Sequence, residues 1–343
     1  MTLSSLYDGI ILGAGPAGLS VADHLQSVGL RVLVLEKGPI ASHIAQYPTF
    51  MSFHSTRENV EINSYPLNTV NERPTRQEYC FYLARFAKDR GLDVRTYTEA
   101  TSLERHEDGT FTVHARKRSG EEAVFSSRTV TVAVGAYDNP RYLGVPGEHL
   151  SKVVYHFKEP HDYVGSKVLV VGGRNSAIEN CLALWRAGVE VSISYRRPEF
   201  SAPGVKYWLK PDIDNRVKKG EIRAYMDTVV EKIAWDAVTL RENATGDSLV
   251  VPNDFVICET GYNPPAAFLQ SLGIKLDPIT HVPEHDPETL ESNVPGLYIA
   301  GTILAGNISG HVFIENSRLH GEVIALAIRD RMNRGAGQPS VKT

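Results

Sequence analysis

Gly13-Ala14-Gly15-Pro16-Ala17-Gly18 decides how this chain folds. The six residues follow a short apolar run, Gly9-Ile10-Ile11-Leu12, that reads as a strand. They precede a helical pattern with apolar residues at Ala17, Val21, Leu25 and Val28. In a strand–turn–helix of this kind Gly13 makes the tight turn. Gly15 lacks the Cβ that would hold a pyrophosphate off the backbone, and Gly18 lets the helix pack on the strand. The helix N-terminus then presents free N–H groups and partial positive charge to the phosphates. Gly29 ends the helix at the C′ position. Arg31-Val32-Leu33-Val34-Leu35 is a buried-type strand that ends in Glu36, a carboxylate suited to ribose hydroxyls. This is one βαβ unit built to hold a dinucleotide.

The unit recurs later in the chain. Lys167 opens a second strand over Val168 to Val171, followed by the turn Gly172-Gly173-Arg174-Asn175-Ser176-Ala177, a helix from about Asn175 to Arg186, Gly188, and a strand from Val189 to Tyr195. Arg174 stands where the second glycine of the first copy stood, as a charge clamp over phosphates. The last strand ends in Arg196-Arg197 instead of an acid. Guanidiniums there suit a 2′-phosphate, which favours NADPH over NADH. One chain with two such sites points to electron transfer between two nucleotides.

Between the copies, Thr75-Arg76-Gln77-Glu78 has capping-box spacing and starts a helix that stops at Gly91. From Val94 to Val134 alternating segments and the turns at Glu107-Asp108-Gly109 and Ser119-Gly120 read as antiparallel strands, ending in a buried strand that runs into Gly135. Asn139-Pro140 and Val145-Pro146-Gly147 mark a linker. Later, Phe255 to Cys258 is a strand that ends in Glu259-Thr260-Gly261. Near the end, Gly296 to Gly301 is a strand and turn, Gly301-Thr302 precedes a helix expected from about Val312 to Arg331, and a disordered tail is expected from 335. A helix N-terminus after His311 would stabilise negative charge on a reduced cofactor ring.

Composition excludes several classes. A net charge of -4 without a Lys/Arg block argues against nucleic acid or an anionic membrane as partner. No apolar run reaches the length of a membrane span. Cys80, Cys181 and Cys258 are far apart and form no C-x-x-C, which excludes a disulfide framework and a zinc ribbon and suits a reducing cytoplasm. All three read as core residues. The histidines show no metal-ligand spacing, and no metal is expected.

The chain resembles the YpdA-type flavoproteins, the bacillithiol-disulfide or bacilliredoxin reductases, relatives of the low-molecular-weight thioredoxin reductases. The matching stretches are Gly13 to Leu19, Tyr47 to Phe53 with Ser55-Thr56, Pro74-Thr75-Arg76, Gly172 to Ala177, Lys206-Tyr207-Trp208 with Pro211-Asp212, Thr260-Gly261-Tyr262, and Phe313-Ile314-Glu315-Asn316 with Arg318 and His320-Gly321. The resemblance implies an α/β chain with two Rossmann-like, three-layer dinucleotide-binding domains of the thioredoxin-reductase, pyridine nucleotide-disulfide oxidoreductase type. It places an FAD-binding domain at 1–138 and 259–334 around an NADPH-binding domain at 139–258, with 335–343 as the tail. Hinges near Asn139-Pro140 and Gly261-Tyr262-Asn263-Pro264 would let the second domain rotate.

FAD is expected at Gly13, Gly15, Pro16, Ala17, Gly18, Glu36, Lys37, His54, Gly135, Gly301, Thr302, Phe313 and Ile314. NADPH is expected at Gly172, Gly173, Arg174, Asn175, Ser176, Arg196, Arg197 and Gly261. Two departures bear on the acceptor. Thioredoxin reductases carry a C-x-x-C just before the second nucleotide strand, where this chain has Tyr155-His156-Phe157-Lys158. YpdA-type enzymes usually carry a cysteine inside the first glycine loop, where this chain has Ala17. The expectation is hydride transfer from NADPH to FAD and onward to a small-molecule disulfide, a quinone or a small redox protein such as ferredoxin, in a homodimer or homotetramer. A flavin monooxygenase or NADPH oxidase, and a flavin-holding redox sensor with little turnover, are the competing readings.

Overall fold

The computed structural model describes residues 6–201, 204–308 and 311–336, the side chains of 334–336 excepted. The chain divides into two compact units. Unit 1 comprises 1–46, 51–139 and 262–343, and unit 2 comprises 47–50 and 140–261.

Unit 1 begins with β1 (Tyr7–Leu12), α1 (Pro16–Ser27) and β2 (Val32–Leu35). Every residue of β2 and nearly every residue of β1 is buried, as a strand covered on both faces requires. Of the apolar positions expected on α1, Ala17, Val21 and Leu25 are buried. Val28 is instead the exposed C-cap residue, because the helix ends one residue earlier. A single turn, α2 (Arg57–Val60), precedes α3 (Arg76–Asp89), whose capping box is formed: Glu78 N–H donates to Thr75 Oγ1 at 3.2 Å and Thr75 N–H donates to Glu78 Oε2 at 2.8 Å. Then follow β3 (Val94–Arg95), β4 (Thr98–Arg105), β5 (Phe111–Lys117) and the long β6 (Glu122–Val132). The first half of β6 pairs antiparallel with β5 and the second half parallel with β1.

Unit 2 opens with β7 (Val153–Val154), then β8 (Lys167–Val171), α4 (Asn175–Arg186), β9 (Glu190–Tyr195), α5 (Lys210–Lys218) and β10 (Arg223–Met226). An antiparallel meander of β11 (Thr228–Ile233), β12 (Ala237–Glu242) and β13 (Ser248–Pro252) leads to β14 (Phe255–Cys258). The parallel sheet has the order β10-β9-β8-β14-β7. Alternation along β8 sorts its side chains into two cores. Val168 and Val170 join Ile178, Cys181 and Leu182 of α4 on one face, and Leu169 and Val171 join Val238, Leu240 and Val251 of the meander on the other. Helix, parallel sheet and meander are three layers.

Unit 1 resumes with α6 (Ala266–Ser271), β15 (Leu297–Ile299), α7 (Ile314–Ser317) and α8 (His320–Ala336). β15 pairs parallel with β6, so the parallel strands run β3-β2-β1-β6-β15, and β4 and β5 extend the sheet as a meander. Both units thus wind a parallel sheet outward in two directions, from β1 in unit 1 and from β8 in unit 2.

Two expectations about the C-terminal part need correction. The single helix expected over 312–331 is two helices. The Arg318 carbonyl accepts a bond from Ser20 Oγ at 2.8 Å and so leaves the helical ladder. Gly321 then lies so close to α1 that a Cβ there would stand 2.3 Å from Ser20 Oγ. α8 also continues through Ala336, into the span expected as tail, and 337–343 lie outside the described residues. No helix among the described residues is long and apolar enough to cross a membrane.

Candidate functional site

In a doubly wound sheet the crevice opens beyond the carboxyl ends of the strands, where the winding reverses. In unit 1 that point lies between β1 and β6, and the Gly13–Gly18 turn fills it. Gly13 N–H donates to Leu35 O at 2.8 Å. A Cβ on Gly13 would stand 2.5 Å from Ala133 O, and one on Gly18 would stand 2.0 Å from Gly13 O. Both positions therefore exclude any side chain. Gly15 differs, because a Cβ there would meet nothing within 4 Å, so its face is open. Pro16 occupies the first turn of α1, no acidic residue lies in that turn, and no side chain caps Gly15. An open, uncapped helix N-terminus fits a dinucleotide pyrophosphate.

Glu36 follows β2 directly. Its carboxylate accepts from Ala14 N–H and Gly38 N–H, each at 2.8 Å, and from Ser42 Oγ at 3.0 Å. Three donors fix the group, and a carboxylate has acceptor capacity left for ribose hydroxyls. Lys37 makes an ion pair with Asp138. The structure also brings Ala17 beside Gly301, since a Cβ on Gly301 would stand 3.3 Å from that of Ala17. Gly135 and Thr302 lie together: a Cβ on Gly135 would stand 4.0 Å from Thr302 Oγ1. His54 lies in the loop before α2, whose Ser55 bonds Glu315 of α7, so it shares a region with Phe313 and Ile314. That region reaches the glycine turn through α1, against which α7 packs.

Two histidines carry no expected role: His43 is not singled out in the sequence, and His320 enters only within the His320-Gly321 stretch of the resemblance. His43 Nε2 lies 2.5 Å from Asp138 Oδ2, and its Nδ1 is 2.8 Å from where a Cβ on Gly135 would be. Burial alone would raise Asp138, but hydrogen bonds from His43 and Lys37 outweigh it and hold the carboxyl well below the usual range. His320 Nδ1 accepts the Gly301 N–H at 3.1 Å. Burial, with the His285 charge, pushes His320 down to about 4, so its ring is neutral at pH 7. No local pattern marks either residue, because each meets its partner only after distant segments fold together.

Unit 2 has its reversal between β8 and β14, at Gly172. A Cβ on Gly172 would stand 2.6 Å from Glu259 O. One on Gly173 would enter the Tyr195 ring, which lies 2.2 Å away and stacks in turn on Phe200. Arg174 sits at the N-cap of α4 in extended conformation without a side-chain cap, its side chain beside Gly204, and no acid lies in the first turn. Asn175 Oδ1 accepts Lys206 N–H at 2.9 Å, which ties the Lys206-Tyr207-Trp208 segment to the turn. Ser176 is exposed next to it. Arg196 and Arg197 follow β9 with exposed side chains, and their carbonyls accept from Asn243 Nδ2 and Asp227 N–H. Gly261 follows β14, and its carbonyl accepts Arg141 N–H at 2.8 Å. A glycine turn, an open helix start and arginines beyond the second strand fit a phosphorylated dinucleotide.

None of the three cysteines is held as a thiolate, and Cys80, expected in the core, is only partly buried. Cys181 is fully buried and its thiol is pushed far up. Burial pushes Cys258 up to about 12, and Cys80 is raised for the same reason. No group of three or more His, Cys, Asp or Glu among the described residues is placed to hold a metal ion.

Residues 10–301 match the pyridine nucleotide-disulphide oxidoreductase family. The chain is similar to bacilliredoxin reductase Bdr of Bacillus subtilis (strain 168), with 38% identity over 324 residues, covering 94% of this chain and 98% of the relative. Among solved structures it is similar to bacillithiol disulfide reductase Bdr (YpdA) from Bacillus cereus, with a TM-score of 0.91 and 36% identity over 95% of this chain and 100% of that one. It is also similar to the ferredoxin–NADP reductase of Ignicoccus hospitalis, 27% identical over 87% of this chain and 90% of the relative.

Proposed function

The chain belongs to the pyridine nucleotide-disulphide oxidoreductase family, and from that membership we propose how its two glycine turns divide the work: unit 1 holds FAD and unit 2 binds NADPH. The protein is an FAD-dependent NAD(P)H oxidoreductase. One observation carries the division. Both units wind a parallel sheet around a glycine turn, but the first is closed by the acid Glu36 and the second by Arg196-Arg197. A carboxylate suits free ribose hydroxyls and repels a 2′-phosphate, whereas guanidiniums attract it.

When bound, FAD supplies two-electron acceptance from a reduced nicotinamide. The chain supplies orientation and charge. The start of α1 faces the pyrophosphate with its free N–H groups, and Glu36, pinned by three donors, orients a ribose. His320 anchors Gly301 without adding a charge, because its ring stays neutral. In unit 2 the start of α4 and Arg174 face the second pyrophosphate.

The acceptor belongs to the class of low-molecular-weight disulfides, of which bacillithiol disulfide is one. Support comes from the 38% identity along nearly the whole chain to a bacilliredoxin reductase. Two electrons from NADPH and one further proton convert the disulfide to two thiols. Ala17 and the three unionised cysteines leave the chain no thiolate to attack the sulfur, so the disulfide is reduced without an enzyme thiol. The same thiol inventory favours a second reading, a non-thiol acceptor such as a quinone or an iron–sulfur protein. An NADPH-driven screen of disulfides, quinones, ferredoxin and oxygen separates them. Turnover with bacillithiol disulfide above all others is the expected result. Turnover with quinone or ferredoxin alone selects the second reading, and consumption of oxygen alone contradicts both.

A further inference from the structure

Glu259 is a carboxyl that the hydride chemistry above does not use. It follows β14 directly, at the carboxyl end of the strand that flanks the Gly172 turn. Its N–H donates to Val171 O at 2.8 Å, and its own carbonyl oxygen lies against Gly172. The side chain is held from α4, where the buried Asn180 donates its Nδ2 to Glu259 Oε1 at 2.6 Å.

The sheet order says which half of a dinucleotide meets this carboxyl. The pyrophosphate lies at the glycine turn after β8, and the adenosine half extends toward β9, the strand that ends in Arg196-Arg197. The other half must extend to the opposite side of the reversal, over the end of β14. That half carries the nicotinamide, and its ring is cationic when oxidised and neutral when reduced.

We propose that Glu259, steadied by Asn180, faces the nicotinamide half of the bound nucleotide and makes unit 2 distinguish the oxidised from the reduced ring by charge. The ionised carboxylate attracts the cationic ring of NADP⁺ and leaves neutral NADPH unaffected. The neutral carboxyl does neither. This is a binding and specificity role, and it rests on the reading that unit 2 binds NADPH.

The neutral form is accessible near physiological pH. Burial pushes Glu259 up to about 8, against the opposing bond from Asn180, and the charge of Glu179 on α4 adds to the rise. The other ionisable groups around it are the Cys258 thiol beside it in β14, Tyr155, which follows β7 and donates its hydroxyl to Glu148, and the buried Glu148 carboxyl itself. Cys258 and Tyr155 are pushed upward by burial and stay neutral through this range, while burial of Glu148 is outweighed by the bonds from Tyr155 and the Leu143 and Gly144 amides, so its charge is constant there. Arg141 approaches along the backbone, its carbonyl accepting from Thr260 Oγ1 at 2.5 Å. With a raised value the sign is fixed: NADP⁺ binding strengthens as pH rises through about 8.

The test is calorimetric titration of the FAD-loaded protein, from about pH 6 to about pH 9, with NADP⁺ and with the tetrahydronicotinamide analogue of NADPH. That analogue has a neutral ring and donates no hydride. Both ligands carry the same 2′-phosphate, so its titration cancels in the ratio of affinities. Wild type should bind NADP⁺ about tenfold tighter at the upper limit relative to the analogue, the effect of one pKa unit of coupling. Glu259→Gln, which keeps a partner for Asn180, should flatten the ratio. Asn180→Ala, which removes the bond that holds the value down, should move the midpoint to higher pH. A flat ratio in wild type, a slope that survives Glu259→Gln, or an unmoved midpoint in Asn180→Ala overturns the proposal while the nucleotide site stands. No binding of either ligand at any pH overturns the nucleotide reading of unit 2 together with it.

Discussion

Gly15 and Gly18 look alike in the sequence, yet they answer to different constraints. Gly18 faces backbone, and a methyl group there would collide with Gly13 O. Gly18→Ala should cost about 1–3 kcal/mol of stability with or without flavin, read by thermal unfolding. Gly15 faces open space, so Gly15→Ala should leave the stability of the flavin-free chain within about 0.5 kcal/mol and instead weaken FAD binding at least tenfold in an equilibrium titration. The Asp138 carboxyl makes a pH prediction. Its depressed value contributes stability that is fully present above the ordinary carboxylate pKa of 3.8 and is lost as pH falls through the folded value. Asp138→Asn should therefore be less stable than wild type at neutral pH, with the gap closing in strong acid. At this scale the sequence revealed residue types but not partnerships. Arg196 and Arg197 stood out because they replace an acid at a known position in the βαβ pattern. His43 did not, since its partner Asp138 lies far along the chain and no spacing joins them.

Elements were legible where the determinants are local. The capping box of α3 and the alternation of β5 and β6 sit within a few residues, and the helices and turns follow from them. Thr75→Ala should cost about 1 kcal/mol and speed amide exchange in the first turn of α3, a change that mass spectrometry reads directly. Elements that depend on distant partners were not legible. β3 and β7 have two residues each and exist only because β2 and β14 offer open edges. The break between α7 and α8 depends on Ser20, which lies on α1 at the other end of the chain and draws the Arg318 carbonyl out of the helix. Apolar periodicity runs through that break, so the pattern alone reads as one helix.

For the whole molecule, the repeated strand–glycine–helix–strand unit alone reveals the fold class, because the constraint on each turn is steric and local. The insertion of the second winding inside the first is implied by the resemblance and by no local pattern, since β15 joins β6 only after the chain of unit 2 has intervened. If each unit holds its own nucleotide, each should gain stability from that nucleotide alone. Saturating FAD should raise the unfolding transition of unit 1 and NADP⁺ that of unit 2, each by about 3–4 kcal/mol at a hundred- to thousandfold excess over Kd, resolved by scanning calorimetry. The most direct test of the account is anaerobic mixing of the purified protein with NADPH while the flavin absorbance is followed. The purified protein should be yellow, with one FAD per chain, bleached by a single equivalent of NADPH and far more slowly by NADH. A colourless chain that takes up no FAD, or a bound flavin that stays oxidised, would contradict it.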